Sequence, residues 1–344
     1  MSAAEQAIAV EYPSCAVCGS ARVEIVCDVD ELRAQLDWVR RFHLRRLEDR
    51  APRGALEDRT DFTQGFVTNI VACATCGLLF RDPRPRPEAI ARAYARDAYG
   101  PARLDALLAG QRALFRDKVR ALARWMPPPG ARVLELGSFV GGFLDVGRDA
   151  GWDARGVDPG EEVVAYCRAR GLRVLRGTVD DLAEPAGSFD LIAIWNTFDQ
   201  LPEPGPALAA VARLLRSGGT LVLRVPNGLC YRRAVAALRR APAPFAALLR
   251  GALTWNNLLG FPYLYGYTPR TLERLCAAHG LATVVVRPDT LVRLSDDATR
   301  PWASLEEAAV KSAWRLLWSL RGARAAESAP WLDVVLRRAS SAAE

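Results

Sequence analysis

The chain has 344 residues, half of them apolar and 25% charged, an ordinary globular composition that excludes a fibre or a disordered chain. No apolar run reaches the roughly 20 residues that span a bilayer as a helix, and Met1–Val10 carries Glu5 and Gln6 where an export signal would be basic, so the expected compartment is the cytoplasm. The net charge of +7 raises the question of nucleic acid, but only Lys118 and Lys311 are lysines and the arginines are scattered, so nucleic acid is not the expected partner.

Residues 1–87 read as a small module. Two knuckles of the form C-x-x-C-Gly stand in it, Cys15-Ala-Val-Cys18-Gly19 and Cys73-Ala-Thr-Cys76-Gly77. Four thiolates in two matched pairs make the closed tetrahedral shell of a structural zinc site. In a chain without an export signal this outweighs disulfides, and reduced, unliganded thiols are the remaining alternative. The long interval between the pairs must fold back, and Asp30–Glu48 supplies a helix for it, with Leu32, Leu36, Val39 and Leu44 along one face.

Proline runs at 82–87, 127–130 and 241–244 punctuate the rest, residues 88–344. Residues 88–126 read as helical, with Leu114, Val119, Leu122 and Trp125 to one side; Tyr94 and Tyr99 either line a pocket or pack in the core. After Gly130, strands and helices alternate. Strands are predicted over 132–137, 153–158, 173–177, 189–195, 220–225, 282–287 and 332–337. Helices are predicted over 142–151, 161–170, the run before Leu215, 269–279 and 304–320. Short β-rich runs separated by helices give an α/β fold: a doubly wound, mostly parallel, Rossmann-like sheet of seven strands, with the four-cysteine ribbon at its N-terminal side.

The first strand runs into Glu135-Leu-Gly137-Ser138-Phe139-Val-Gly141-Gly142. Glycines between a strand and a helix let the backbone turn tightly and approach a ligand. The spacing departs from the dinucleotide fingerprint G-x-G-x-x-G. Glu135 would repel a pyrophosphate but suits a cationic ligand such as S-adenosylmethionine, which carries an ammonium and a sulfonium. Asp158 ends the second strand, where an acid can accept both hydroxyls of a ribose.

On these residues, Val133–Asn227 resembles the cofactor core of the class I S-adenosylmethionine-dependent methyltransferases. The resemblance implies that Glu135, Gly137, Ser138, Phe139, Gly141 and Gly142 hold the amino-acid part of the cofactor. It places the ribose at Asp158 and Pro159, the adenine at Thr178, Val179 and Asp180, and the methyl beside Trp195 and Asn196. Phe139 stands where the family has its middle glycine, Thr178 where an aspartate is common, and Asp199-Gln200 where many relatives have Glu-His. The run from Cys73 to Pro85 resembles the zinc-ribbon head of a subgroup that includes sugar C-methyltransferases of natural-product pathways.

Methyl transfer to oxygen or carbon needs an aligned acceptor and a placed base. Candidates at the carboxyl edge of the sheet are Asp199, Gln200 and Asn227; Asp199 reads equally as a helix cap. His43 and His279 read as structural. Trp195 either faces the sulfonium or packs in the core. The segment 229–267 interrupts the alternation. Its aromatics and arginines fit a lid over a polar substrate or a packed loop, and Arg232, Arg233, Arg239 and Arg240 offer a basic face to a membrane surface. The expected function is methylation of a small polar acceptor, a sugar or related biosynthetic intermediate. An RNA methyltransferase and a non-catalytic scaffold of the same fold are the alternatives, and no sequence feature fixes the oligomeric state.

Overall fold

The computed structural model describes residues 9–51, 66–95, 99–261, 263–291, 293 and 296–339. Most of the stretch read for an export signal, residues 1–8, lies outside them. The chain opens with strands β1 (Val10–Glu11) and β2 (Val23–Cys27), helix α1 (Val29–Leu44), and strands β3 (Asn69–Cys73), β4 (Leu79–Asp82) and β5 (Arg84–Pro85). Helices α2 (Pro87–Ala95) and α3 (Pro101–Ala121) follow.

The main domain continues with β6 (Arg132–Leu136), α4 (Gly142–Asp149), β7 (Asp153–Asp158), α5 (Glu161–Ala169), β8 (Arg173–Arg176) and β9 (Phe189–Trp195). After these come α6 (Pro204–Leu214), β10 (Leu215–Pro226), α7 (Gly228–Leu238), α8 (Ala243–Thr254), β11 (Tyr265–Gly266), α9 (Pro269–Ala277), β12 (Leu281–Asp289), α10 (Pro301–Arg321) and β13 (Trp331–Arg338). Seven of these strands form one sheet in the order β12-β13-β10-β9-β6-β7-β8. The ladders β6–β7, β7–β8, β6–β9 and β9–β10 are parallel, and β13 runs antiparallel to both β10 and β12. This is the doubly wound α/β sheet expected from the alternation.

Period-two side-chain alternation explains why helices cover both faces. Leu134, Leu136, Ile192, Ile194, Leu221 and Leu223 face Leu208 and Val211 of α6 and Leu272 and Leu275 of α9. Their neighbours Val133, Leu191, Ala193, Trp195 and Val222 face Phe115 of α3 and Phe143 and Val146 of α4. Strand β10 starts earlier than predicted, at Leu215. Its pairing with β9 shifts between Leu215 and Thr220, where Gly218 adopts φ +67 and makes the irregularity that a plain strand pattern does not show.

A second sheet, β11-β4-β3-β2, carries the cysteine knuckles. Its outer strand β11 comes from the 229–267 segment and pairs Tyr265 with Phe80 and Gly266 with Leu79. The module expected over 1–87 is thus completed by residues outside that range. Arg81 is fully buried and donates to the carbonyls of Phe66 (2.8 Å), Gly260 (2.8 Å) and Tyr263 (2.8 Å), tying the loop before β11 to the ribbon. Tyr231, Leu253, Leu258 and Phe261 share a core with Leu32, Val39, Ile70 and Leu79. Tyr231, Trp255, Tyr265 and Tyr267 are all buried. These aromatics, which fitted a lid or a packed loop, are interior side chains. Among the described residues, no helix is long and apolar enough to cross a membrane.

Candidate functional site

The turn after β6 brings the expected cofactor residues together. Gly137 (φ +74) and Gly141 (φ +76) take left-handed conformations that suit glycine. A Cβ on Gly137 would overlap the side chain of Thr197, and one on Gly142 would overlap Gln111 of α3. Phe139 itself holds φ +46, so the backbone keeps the turn although a side chain replaces the family's glycine. Its ring meets Tyr99 edge-on at 5.4 Å.

Glu135 is buried, and its Oε2 has no hydrogen-bond partner among the described residues; nor has the buried Ser138 hydroxyl. Burial, then the negative charge of Asp158, pushes the Glu135 carboxyl well above the usual carboxylate range. A buried acid left without a partner is costly, and a cationic group in the turn would satisfy it. Asp158 ends β7 with Oδ2 accepting from Phe139 N–H (2.7 Å) and Oδ1 from Gly160 N–H (2.9 Å). Pro159 lies between Asp158 and that Gly160 amide. The donor set therefore fits S-adenosylmethionine: an orphaned acid for its ammonium, a glycine turn for close approach, and an anchored carboxylate for its ribose.

Behind β8, Val179 is buried and Asp180 is exposed. The acid that shapes this turn is Asp181, which accepts from Thr178 N–H (2.7 Å) and from its hydroxyl (3.1 Å). Thr178, Val179 and Asp180, the expected adenine contacts, stand together at this turn, which spans Val179–Asp181.

The residues after β9 divide by role. Trp195 is 4% exposed, with its ring 5.4 Å from Phe115 and 5.5 Å from Phe143, so it packs in the core. Asn196 has φ +54; its Oδ1 accepts from the Arg224 guanidinium and its carbonyl accepts from Gln200 Nε2 (2.6 Å). Gln200 Oε1 in turn accepts from the Tyr94 hydroxyl (2.6 Å). Tyr94 is thus bonded to Gln200 and also packs against the main core.

Asp199 is 2% exposed and its Oδ1 has no hydrogen-bond partner among the described residues. Burial raises its pKa to about 7, with its own backbone N–H and the charge of Arg224 holding it back from going higher. That value suits a general base near neutral pH. Asn227, by contrast, is fully engaged: Oδ1 accepts from Leu229 N–H (3.0 Å), and Nδ2 donates to the carbonyls of Ala326 (2.9 Å) and Ala329 (2.8 Å). It caps α7, which corrects its reading as a catalytic candidate. His43 is buried beside Phe42 and Trp255, in the structural role expected.

Two contributors escaped the sequence reading. Gln111 accepts from Gly142 N–H (3.2 Å) at the start of α4, and nothing in the spacing of α3 marks it. Arg224 is fully buried and bound to Asp289 (3.0 Å), Thr290 O (2.9 Å) and Asn196, with Lys118 joining Asp289 to Asp333. Its signal was available: one charge inside the apolar run Leu221-Val-Leu-Arg224-Val.

At the knuckles, Cys15 and Cys76 sulfurs lie 3.5 Å apart, as do those of Cys18 and Cys73. All four ligand atoms fall within 4.8 Å of one another. A tetrahedron of thiolates at about 2.3 Å from a metal has edges of about 3.8 Å. Gly19 (φ +71) and Gly77 (φ +81) donate to the carbonyls of Cys15 and Cys73 at 2.8 Å, closing each turn. The four thiols can hold one tetrahedral ion. The basic face proposed for 232–240 is largely tied down: Arg233 pairs with Glu327 and Arg239 with Glu31.

The family model described as a methyltransferase domain matches residues 108–286. A ubiquinone biosynthesis O-methyltransferase of Xanthomonas campestris pv. campestris (strain B100) is 30% identical over 131 residues, 36% of this chain and 50% of that protein. One from Hahella chejuensis is 31% identical over 164 residues, 44% of this chain and 67% of that protein. The chain spans about half the length of the first of these curated relatives. A solved S-adenosylmethionine dependent methyltransferase from Mesorhizobium loti superposes with a TM-score of 0.42 at 18% identity, covering 64% of this chain and 96% of that one.

Proposed function

This chain belongs to the methyltransferase-domain family, and on that premise we propose that it methylates a small polar acceptor, a sugar or related biosynthetic intermediate, with S-adenosylmethionine as donor. The observation that carries the reading is the buried Glu135 carboxyl, whose Oε2 has no partner among the described residues, set in the glycine turn beside the anchored Asp158. When bound, S-adenosylmethionine supplies an electrophilic methyl. The residues of the chain bind and orient: Glu135 faces the ammonium, Asp158 the ribose, and Tyr94 with Gln200 borders the acceptor side.

Asp199 is the residue assigned to take the acceptor proton. Its raised pKa lets a useful fraction be ionised at neutral pH while leaving it basic enough to accept a proton. The O-methyltransferase names of the relatives favour oxygen as the atom methylated. The cysteine centre takes zinc, whose four thiolates leave no open position and so give it a structural task.

The test is transfer of radiolabelled methyl from S-adenosylmethionine to a panel of nucleotide sugars and hydroxylated small molecules. With any acceptor found, Asp199→Asn is expected to lower kcat by about 10²-fold or more, and the wild-type rate to rise with pH through about 7. Cofactor binding without transfer to any of them favours the scaffold reading, and an unchanged rate in Asp199→Asn removes Asp199 from the chemistry.

A further inference from the structure

Helix α10, which connects β12 to β13, is apolar on two opposite faces. Ala303 is buried inward, Val310 packs against the cluster of Phe42 and Trp255, and Trp314 packs against the cluster holding Leu253. The outward face is apolar as well. Trp302 (50% exposed), Leu305 (72%), Leu316 (64%) and Leu320 (78%) stand open to solvent, joined by exposed Ala309 and Ala313. The positions 302, 305, 309, 313, 316 and 320 step by three or four residues, so they form one continuous stripe along the helix. A helix apolar all round is normally covered on all sides, and an exposed apolar patch of a few hundred Å² is often functional.

The charges beside the stripe select what covers it. The acids of α10 are occupied: Glu306 by Arg46 and Trp255, Glu307 by Lys311. The exposed Arg315 and Arg321 stand about a quarter-turn beyond the two edges of the stripe and form no ion pair among the described residues. What α10 offers outward is therefore apolar in the middle and positive at the flanks. A second copy of this chain would bring +7 against +7. The stripe also measures only about 30 Å by 10 Å, roughly 300 Å², against the roughly 800 Å² per partner of a stable protein interface.

We infer that α10 seats the protein on an anionic phospholipid surface. Its leucines and Trp302 enter the headgroup boundary while Arg315 and Arg321 meet the lipid phosphates. A narrow apolar stripe with a tryptophan and flanking arginines is the arrangement of an in-plane interfacial helix, and the attraction of its arginines to anionic headgroups falls off within a Debye length. The placement differs from the 232–240 face considered from sequence alone, whose arginines are largely paired within the chain.

The experiment is co-sedimentation of the full zinc-loaded chain with vesicles of phosphatidylcholine alone or mixed with phosphatidylglycerol, at low and high salt. The readout needs no acceptor and is independent of methyl transfer. Binding to the anionic vesicles is expected, weakened by salt and reduced about tenfold or more in Leu316→Glu/Leu320→Glu. Both leucines are exposed, so the variant should keep its fold, checked by thermal melting; Leu305→Glu, toward the other end of the stripe, gives an independent second test. No binding by the wild type, or binding that neither variant reduces, overturns the inference. So does sedimentation velocity showing a wild-type dimer that the variants dissociate, because a second copy would then occupy the stripe.

Discussion

At the scale of single residues, the molecule rests on a few carboxylates placed in unequal surroundings. Asp158 is anchored by two backbone N–H groups, whereas Asp199 is buried with one oxygen lacking a partner among the described residues. The raised pKa of Asp199 has a consequence for stability. The native state holds this proton more tightly than the unfolded chain does, so between the ordinary aspartate value of 3.8 and about 7 stability from this group falls as pH rises. Above pH 7 the native protein carries a buried charge that Asn would not. Asp199→Asn is therefore expected to be more stable than wild type at pH 8, by about 2–4 kcal/mol, and close to it near pH 4. Urea unfolding at the two pH values reads this directly, and an equal gap at both would mean that Asp199 titrates normally. Glu135 and Asp158 were legible in the sequence because each sits at the end of a strand in a local motif. Asn227 and Trp195 were not, because capping α7 and filling the space between Phe115 and Phe143 depend on partners distant in the chain.

At the scale of elements, periodicity placed the seven strands of the main sheet close to where they stand, and β7 and β9 match their predicted bounds. It left β11 unseen. Two residues, Tyr265 and Gly266, give no alternation to detect, and their strand character comes from pairing with Phe80 and Leu79. That pairing ties the cysteine ribbon to the main domain, with Arg81 clamping the loop ahead of β11. Metal loss should then be felt beyond the knuckles. Removing zinc with a strong chelator under reducing conditions is expected to lower Tm by roughly 10 °C or more and to expose the apolar contacts between α7, α8 and the ribbon. An unchanged Tm, with metal analysis showing the ion gone, would make the four thiols a mechanical irrelevance.

At the scale of the whole molecule, strand order 12-13-10-9-6-7-8 puts the ends of β6, β7 and β9 side by side. The glycine turn, Asp158 and the Asn196–Gln200 segment follow from those ends, and this adjacency makes one site out of three separate stretches of sequence. The alternation predicted the sheet. The buried cluster of Arg224, Lys118, Asp289 and Asp333 joins α3, β10, β12 and β13, and no local pattern links those four positions. The central claim is that the turn after β6 and the end of β7 bind S-adenosylmethionine. Calorimetric titration of the zinc-loaded protein with S-adenosylmethionine and S-adenosylhomocysteine, beside Asp158→Ala, tests it most directly. The expected result is saturable binding of both ligands, weakened by about tenfold to a hundredfold in Asp158→Ala; no heat of binding from folded protein, or equal affinity in the variant, would contradict it.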